Sequence, residues 1–491
     1  MNTPRFFLAL AVMTAAGSIP ALTAGTVTTT ADSGVGSLRA AISAAVNGET
    51  ITFAPGLNGE TITLTSQLVV NNLQMSIDAS ALPRGISVSG NNAHRVLQIE
   101  ANSNVTLKNL DIRNGNAVES FGGGIAVVDS QLHMMDCIVR DCYATYSGGG
   151  LILTFGSSSV FDRCRITGNS GSATSFGGGI NIAGASSTLF RSCVIAGNSS
   201  PFGGGLAVSN SSPQLINCTV QGNKGGGLRN EDNSDTILEN TVIWGNSDST
   251  VAGIASQQIN NFTNSNPIVS YCLIEGASET GSFSDGNATA WGLGNINGAL
   301  ASNHPKFAEE IAATSAPHSG GTLSLLTTSP ALNIGNNLSN SGILDLYRNS
   351  RVKDSVIDLG AIEGGFVTFA FLHPSLTPAG DANGNGLSNF LEYATGIDPT
   401  APDNSSVRPK ISTSGGFRFL TSSQRSNAAD TTAVWQTSTI LASSSWQKML
   451  LEINYTVDST SNPTPSRQQV VLKLLDADSR RFYRQGFPKG N

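Results

Sequence analysis

A repeated segment in the middle of this 491-residue chain limits the folds open to it. Seven copies of a short apolar pattern begin 23 to 31 residues apart, at Leu110, Cys137, Cys164, Cys193, Cys218, Thr241 and Cys272. One apolar column lies two positions later, at Ile112, Val139, Ile166, Ile195, Val220, Ile243 and Ile274. Another lies three positions earlier, at Leu107, Met134, Phe161, Phe190, Leu215, Leu238 and Val269. Alternation at two residues is typical of strands, and its recurrence predicts that equivalent strands stack on one another.

Glycine and asparagine mark the corners between these strands. Three glycines before an aliphatic residue open a second strand, at Gly124-Ile125, Gly150-Leu151, Gly179-Ile180, Gly205-Leu206 and Gly227-Leu228, with a weaker copy at Gly253-Ile254. A further corner carries Asn169, Asn198, Asn223 and Asn246, each after a glycine. We expect left-handed backbone at these asparagines and amide hydrogen bonds along the stack. The pattern predicts an all-β chain that forms a right-handed parallel β-helix. Leucine-rich repeats have a similar length, but their Leu/Asn consensus is absent from this sequence.

Five of the six cysteines share one inward column, and Cys142 stands where later repeats place asparagine. Metal ligation, a disulfide framework and a ladder of buried thiols are the three interpretations. The chain has no C-x-x-C motif, and stacked cysteines that point the same way have poor disulfide geometry. These features favour the thiol ladder, in which a serine would bury a hydroxyl among apolar groups.

The N-terminus and the charge indicate compartment and partners. Arg5 precedes an apolar run over 6–16 that is too short to span a bilayer, and Ala24 ends a plausible cleavage site. The pattern of residues 1–24 therefore predicts a signal peptide. We expect an exported protein, extracellular or on the outer cell surface, with no transmembrane segment in the mature chain. The net charge of −7 argues against a nucleic-acid partner.

Several segments together resemble a known family. Residues 37–45 (SLRAAISAA) predict a short amphipathic helix over the first rung. That segment, ITFAPGL, the glycine-cornered rungs and TLSLLTTSPALNIGNN…DLYRNSR…DLGAIEGG (322–365) resemble secreted bacterial right-handed parallel β-helix proteins with polymorphic-outer-membrane-type repeats. The resemblance covers residues 26–365 and implies a surface or adhesin-like molecule. We predict a cap and first rungs over 25–100, repeats over 101–300 and a closing segment over 301–365.

One motif carries defined metal chemistry. Residues 381–392 read DANGNGLSNFLE and match the twelve-residue calcium loop D-x-[DN]-x-[DN]-G-x₅-E. The ligands that this spacing predicts for Ca²⁺ are Asp381, Asn383, Asn385, the carbonyl of Leu387, Asn389 and Glu392. The loop resembles dockerin-type and thrombospondin-type-3 repeats, which join secreted domains. We predict a calcium-binding linker over 366–402, the alternative being a polar linker without an ion.

The last segment, 403–491, lacks the rung pattern. Alternating stretches at 450–457 and 469–475 predict a small β-sandwich-like module. Its residues Trp435 and Trp446 could either contact carbohydrate or fill a core, and the core interpretation is favoured.

Function is the least determined property of this sequence. Outward positions of the glycine-cornered strand read Ala126, Ile152, Asn181, Ala207, Arg229 and Ala255, without a carboxylate. The column after the cysteines reads Asp111, Ile138, Arg165, Val194, Thr219, Val242 and Leu273. The candidate catalytic cluster is Glu231, Asp232 and Asp235, with Glu239 nearby, and its alternative is a solvated loop. We predict a monomeric, non-catalytic scaffold that contacts polysaccharides or other cell-surface components. The alternative is a β-helix polysaccharide lyase or glycoside hydrolase.

Overall fold

The structure is a computed structural model. It describes residues 25–364, apart from 185, 252, 279–289, 340–343 and 353–355, and the backbone of strands between 410 and 486. The predicted signal peptide lies outside the described residues. No helix in the described segments is long and apolar enough to cross a membrane.

Three parallel sheets form the walls of the solenoid, and a complete turn contributes one strand to each wall. In the described part of the chain, the eight-stranded sheet contains Leu68–Asn71, Leu97–Glu100, Ile125–Val128, Leu151–Thr154, Ile180–Ala183, Leu206–Ser209, Leu228–Glu231 and Ile259–Asn261. The eleven-stranded sheet contains Thr26–Val27, Glu49–Phe53, Gln74–Asp78, Asn104–Lys108, Gln131–Met135, Ser158–Asp162, Ser187–Arg191, Gln214–Ile216, Ile237–Glu239, Ile268–Ser270 and Ala290–Trp291. The nine-stranded sheet contains Thr61–Thr63, Ile86–Ser89, Leu110–Arg113, Ile138–Arg140, Arg165–Thr167, Val194–Ala196, Thr219–Gln221, Val242–Trp244 and Leu273–Ile274. This arrangement confirms the predicted all-β parallel β-helix.

The predicted inward columns form the core. Phe161 pairs with Phe190 on the next strand, and their stacked rings lie 4.7 Å apart between centroids. Ile166 and Ile195 pair in the same way on the nine-stranded sheet, and both are buried. Three short strands at Asn116–Ala117, Tyr143–Ala144 and Ser170–Gly171 pair at one corner. Strand pairing in register therefore places like residues above one another, as the sequence predicts.

A polar ladder of asparagine side chains runs through the interior. Asn169 Nδ2 donates to Asn198 Oδ1 at 3.0 Å, and equivalent bonds link Asn198 to Asn223 and Asn223 to Asn246. The predicted left-handed backbone at these asparagines is wrong. The preceding glycines adopt it instead, with φ of 66° at Gly168, and the amides point inward.

The cysteine column is confirmed as a ladder of buried, unpaired thiols. The main-chain N–H of Cys164 donates to Cys193 Sγ at 3.4 Å, so neighbouring rungs are linked through sulfur. Burial raises the pKa of the thiols of Cys137, Cys142 and Cys272 to about 12. These thiols are therefore protonated at neutral pH.

The weaker glycine corner at Gly253-Ile254 does not open a strand. The chain forms helix Ile254–Gln258 there, and the strand begins at Ile259, which pairs with Leu228. The residue beside Arg229 is consequently Asn260, and the predicted Ala255 is displaced from the outward column. This repeat is the longest of the series, and its additional residues form the helical turn.

A short helix closes the N-terminal end. Helix Leu38–Ala44 begins after Ser37, whose side chain accepts a hydrogen bond from Ala40 N and caps it. Leu38 and Ile42 are buried in the main core. The described part of the chain also contains 3₁₀ turns at Pro55–Leu57, Ala301–Asn303, Ala313–Ser315 and Asn337–Ser339.

Residues 301–364, which we call the strap, lie along the outer side of the nine-stranded sheet. The outward residues Val194, Val242 and Leu273 form a second apolar cluster with Phe307, Ile311, Leu323, Leu325, Leu346, Leu359 and Ile362 of the strap. Strands Phe307–Glu309 and Thr322–Leu325 pair antiparallel within it. Gln221 exchanges two hydrogen bonds with the backbone of Ile311, at 3.0 and 3.1 Å. The apolar outward residues of the later rungs are therefore shielded from water by the strap.

A buried charge cluster holds the end of the strap together. Arg351 is fully buried, and its Nε lies 3.2 Å from Glu363 Oε1. Its other nitrogens donate to the carbonyls of Gly360 and Asp358, at 2.9 and 3.0 Å. Burial raises the pKa of Glu363 to about 8, although the positive charge of Arg351 opposes that shift.

The C-terminal strands pair antiparallel. One sheet has the order Lys410–Ser414, Phe417–Arg425, Arg467–Leu474 and Tyr455–Thr464, and the other has Gln447–Lys448, Val434–Ser438 and Phe482–Gly486. Trp435 lies on one of these strands, whereas Trp446 lies outside the described residues.

Candidate functional site

The predicted acidic cluster lies around the end of the strand Leu228–Glu231. The hydrogen-bond donors to its carboxylates are Arg229 for Glu231, Ser209 for Asp232, the main-chain N–H of Asn266 for Asp235, and Asn336 for Glu239. Each carboxylate thus has a different partner. Glu239 is engaged by the strap, whereas Glu231 belongs to the eight-stranded sheet.

The predicted calcium ligands, Asp381 to Glu392, lie outside the described residues. Within the described residues, no group of three or more His, Cys, Asp or Glu side chains is arranged to hold a metal ion. The calcium loop therefore stays a prediction from its sequence spacing.

Aromatic side chains line the corner that leads into the eight-stranded sheet. Phe121 and Tyr146 are 45% and 46% exposed, and their ring centroids lie 5.2 Å apart. Phe176 and Phe202 continue the row on the next two rungs, with ring centroids 4.9 Å apart. Phe155, at the other end of the strand that follows Tyr146, is 69% exposed. We call Phe121, Tyr146, Phe176 and Phe202, which lie at the corner itself, the aromatic row.

An arginine is fixed beside this row. The guanidinium carbon of Arg229 lies 4.0 Å from the ring centroid of Phe262 and 5.1 Å from that of Phe202. Glu231 Oε1 accepts two hydrogen bonds from it, at 2.8 and 2.5 Å. Cation–π contact and ion pairing together hold the charge at the face of the eight-stranded sheet.

A second polar group projects from the eleven-stranded sheet. His133 Nε2 lies 2.9 Å from Asp162 Oδ2, and Arg191 Nη2 donates to the same oxygen at 2.7 Å. Burial would raise the pKa of Asp162, but the hydrogen bonds from His133 and Arg191 lower it to about 2. A carboxyl that stays ionised at neutral pH is not tuned as a general acid.

Comparison with known proteins identifies the family. The chain matches the family described as "Right handed beta helix region" over residues 58–240 and 172–338. It belongs to this family. The solved structure of pectate lyase Pel9A is similar, with a TM-score of 0.31 and 12% sequence identity over 67% of this chain and 91% of that chain. No curated protein matches the sequence.

Neither the aromatic row nor the His133–Asp162–Arg191 group was identified from the sequence of this right handed beta helix chain. A signal for the row is nevertheless present, because Phe121, Phe176 and Phe202 directly precede three glycines. The ionic group has a weaker signal, since Asp162 and Arg191 occupy equivalent positions on adjacent strands. His133 joins them from a different register position, and only the folded chain brings it within hydrogen-bond distance.

Proposed function

We propose that this protein is an exported, non-catalytic scaffold of the right handed beta helix family that contacts saccharide chains through its eight-stranded face. The aromatic row, in which Phe121 and Tyr146 are exposed and Phe176 and Phe202 are half-buried, is the observation that carries the proposal. Large apolar side chains exposed together on one face are typical of interaction surfaces.

The chemistry of the row fits a sugar chain. Aromatic faces pack against the C–H groups of sugar rings, and repeated rings allow repeated sugar units to be held in line. Stacked strands lie about 4.8 Å apart, so the row continues along the solenoid axis. Arg229, which is held by Glu231 and lies 5.8 Å and 5.1 Å from the ring centroids of Phe176 and Phe202, supplies a polar group beside the rings, the combination that ligand sites require.

Two further parts of the proposal are supported by sequence alone. Residues 1–24 have the pattern of a signal peptide, which supports export. Residues 381–392 have the spacing of a calcium loop, which supports a Ca²⁺-stiffened connection to the C-terminal module. An adhesin-like role on the cell surface agrees with both.

The test is binding to a panel of neutral and acidic polysaccharides by affinity electrophoresis. We expect retardation by at least one glycan and its loss in a Phe121→Ala plus Tyr146→Ala variant. Leu338→Ala is the matched control, because this 96% exposed residue lies on the strap, away from the row. Equal retardation of both variants would contradict the proposal.

The same panel tests the enzymatic alternative. Unsaturated-product absorbance and reducing ends would increase if the chain were a polysaccharide lyase or glycoside hydrolase. Turnover that disappears in Asp232→Ala plus Asp235→Ala would assign the activity to the acidic cluster and replace our proposal.

A further inference from the structure

A cleft of about 360 Å³ lies where the strap meets the charged rungs of the solenoid. Asp136, Arg163 and Arg165 line it from the β-helix side. Tyr347 and Arg348 line it from the strap side, where both are about half exposed. The cleft thus has a partly buried wall and an edge that solvent reaches.

One carboxylate is shared by two of the three arginines in this cleft. Arg163 donates to both oxygens of Asp136, at 2.7 and 3.0 Å, and Arg348 Nη2 lies 3.1 Å from Asp136 Oδ2. Burial would raise the pKa of Asp136, but hydrogen bonds from the two arginines outweigh it and lower that pKa. Asp136 is therefore ionised at neutral pH and compensates only one positive charge.

The third arginine has no carboxylate partner among the described residues. Arg165 Nη1 donates to Tyr347 Oη at 3.2 Å, and its Nη2 lies 3.5 Å from the carbonyl oxygen of Gly321. Because Tyr347 accepts in this bond, its own O–H remains available to donate. The cleft consequently has two uncompensated positive charges and a hydroxyl donor, although the whole chain has a net charge of −7.

We propose that this cleft binds an oxyanion carried by a small ligand, either a carboxylate or a sulfate group. Guanidinium groups present paired N–H donors that match both kinds of oxyanion. The cleft volume is near the lower end of the range of roughly 300–1,000 Å³ found for small-molecule sites. This inference goes beyond the proposed function, because the cleft is on a different wall of the solenoid from the aromatic row and neither site requires the other.

The test is isothermal titration of the purified protein at constant ionic strength with sodium glucuronate, sodium sulfate and neutral glucose. We expect saturable binding of an anion and none of glucose. Arg165→Met should weaken binding at least about tenfold, since a hydrogen bond to a charged group is lost. Tyr347→Phe should weaken it about two- to tenfold. Arg113→Met is the control, because Arg113 lies on the same sheet but outside the cleft. This variant should bind the anion as tightly as the unchanged protein does.

The two anions distinguish the chemistry of the ligand. Binding of glucuronate alone supports a carboxylate ligand, and binding of sulfate alone supports a sulfate ester. Tyr347→Phe removes one hydroxyl from a half-exposed side chain, so it keeps the test valid if Arg165→Met unfolds. The absence of saturable anion binding, or equal affinity in the cleft variants and the control, would overturn the proposal.

Discussion

His318 of the strap crosses directly over Gly197, a corner glycine of the β-helix. His318 N donates to Gly197 O at 2.8 Å, and a Cβ atom on Gly197 would lie 2.1 Å from His318 O. The backbone φ of Gly197 is 60°, in the left-handed region. The absence of a side chain at Gly197 therefore allows both the left-handed turn between two strands and the close approach of the strap.

Gly197→Ala should consequently destabilise the protein by about 2–4 kcal/mol, through left-handed strain and through displacement of the strap. Gly156→Ala is the matched control, because Gly156 has a φ of 73° but no atom within 4 Å of its added Cβ. The control should cost only about 1–2 kcal/mol. Urea denaturation measures both, and equal losses would show that strap contact contributes nothing at this corner.

The cysteine ladder predicts an unusual order of substitutions at Cys193. Its Sγ donates to the carbonyl of Phe161 at 3.3 Å and accepts from Cys164 N. Thr241 occupies the same column and makes equivalent bonds, with Leu215 O and Cys218 N. A hydroxyl therefore has partners here, contrary to the expectation from an apolar column.

We expect Cys193→Ser to change the free energy of unfolding by less than about 1.5 kcal/mol. Cys193→Val should cost about 1–3 kcal/mol, because it leaves the N–H of Cys164 without its acceptor. Denaturant unfolding compares the two, and a serine variant less stable than valine contradicts the prediction. Alkylation under denaturing conditions with mass spectrometry should count six free thiols.

Glu363 should make the strap sensitive to pH. Its pKa is about 8 in the folded protein, above the ordinary value of 4.5, so the folded state binds the proton more tightly. The resulting stabilisation is complete below pH 4.5 and is lost as the pH rises through 8. Within that window, the contribution of Glu363 to the free energy of unfolding should fall by about 1.4 kcal/mol per pH unit.

Glu363→Gln is the control, because glutamine keeps the shape and does not titrate. Denaturation from pH 5 to pH 9 should show a smaller decline in stability for the variant than for the unchanged protein. Parallel stability curves would mean that Glu363 does not bind its proton in the way we describe.

The calcium loop should bind with the affinity of extracellular sites, roughly 0.1–1 mM. Glu392→Gln should weaken binding at least about tenfold, since it removes the bidentate carboxylate, and Asp381→Ala should weaken it as well. Calorimetric titration of the full chain with Ca²⁺ measures both. No Ca²⁺-dependent heat up to about 10 mM, well above that range, would identify the loop as a polar linker.

Some features of the candidate sites can be predicted from the amino-acid sequence, whereas others depend on how the chain folds. The aromatic row is local, since Phe121, Phe176 and Phe202 each directly precede a glycine corner, so its signal lies within the repeat sequence. The oxyanion cleft is not local, because Arg165 and Tyr347 are 182 residues apart in sequence. Neither the repeat pattern of residues 101–300 nor the sequence of the closing segment 301–365 indicates that Arg165 and Tyr347 are in contact.

The sequence alone determined the stacked strands, the inward columns and the cysteine and amide ladders. Each depends on alternation within one strand and on recurrence from rung to rung, which are properties of neighbouring residues. Only the tertiary structure decided where the strap lies. The position of the strap explains why the outward column changes from charged residues, Asp111 and Arg165, to apolar ones, Val194 and Val242, which the strap covers. The burial of an outward side chain depends on the strap, a separate segment later in the chain, and local periodicity does not contain that information.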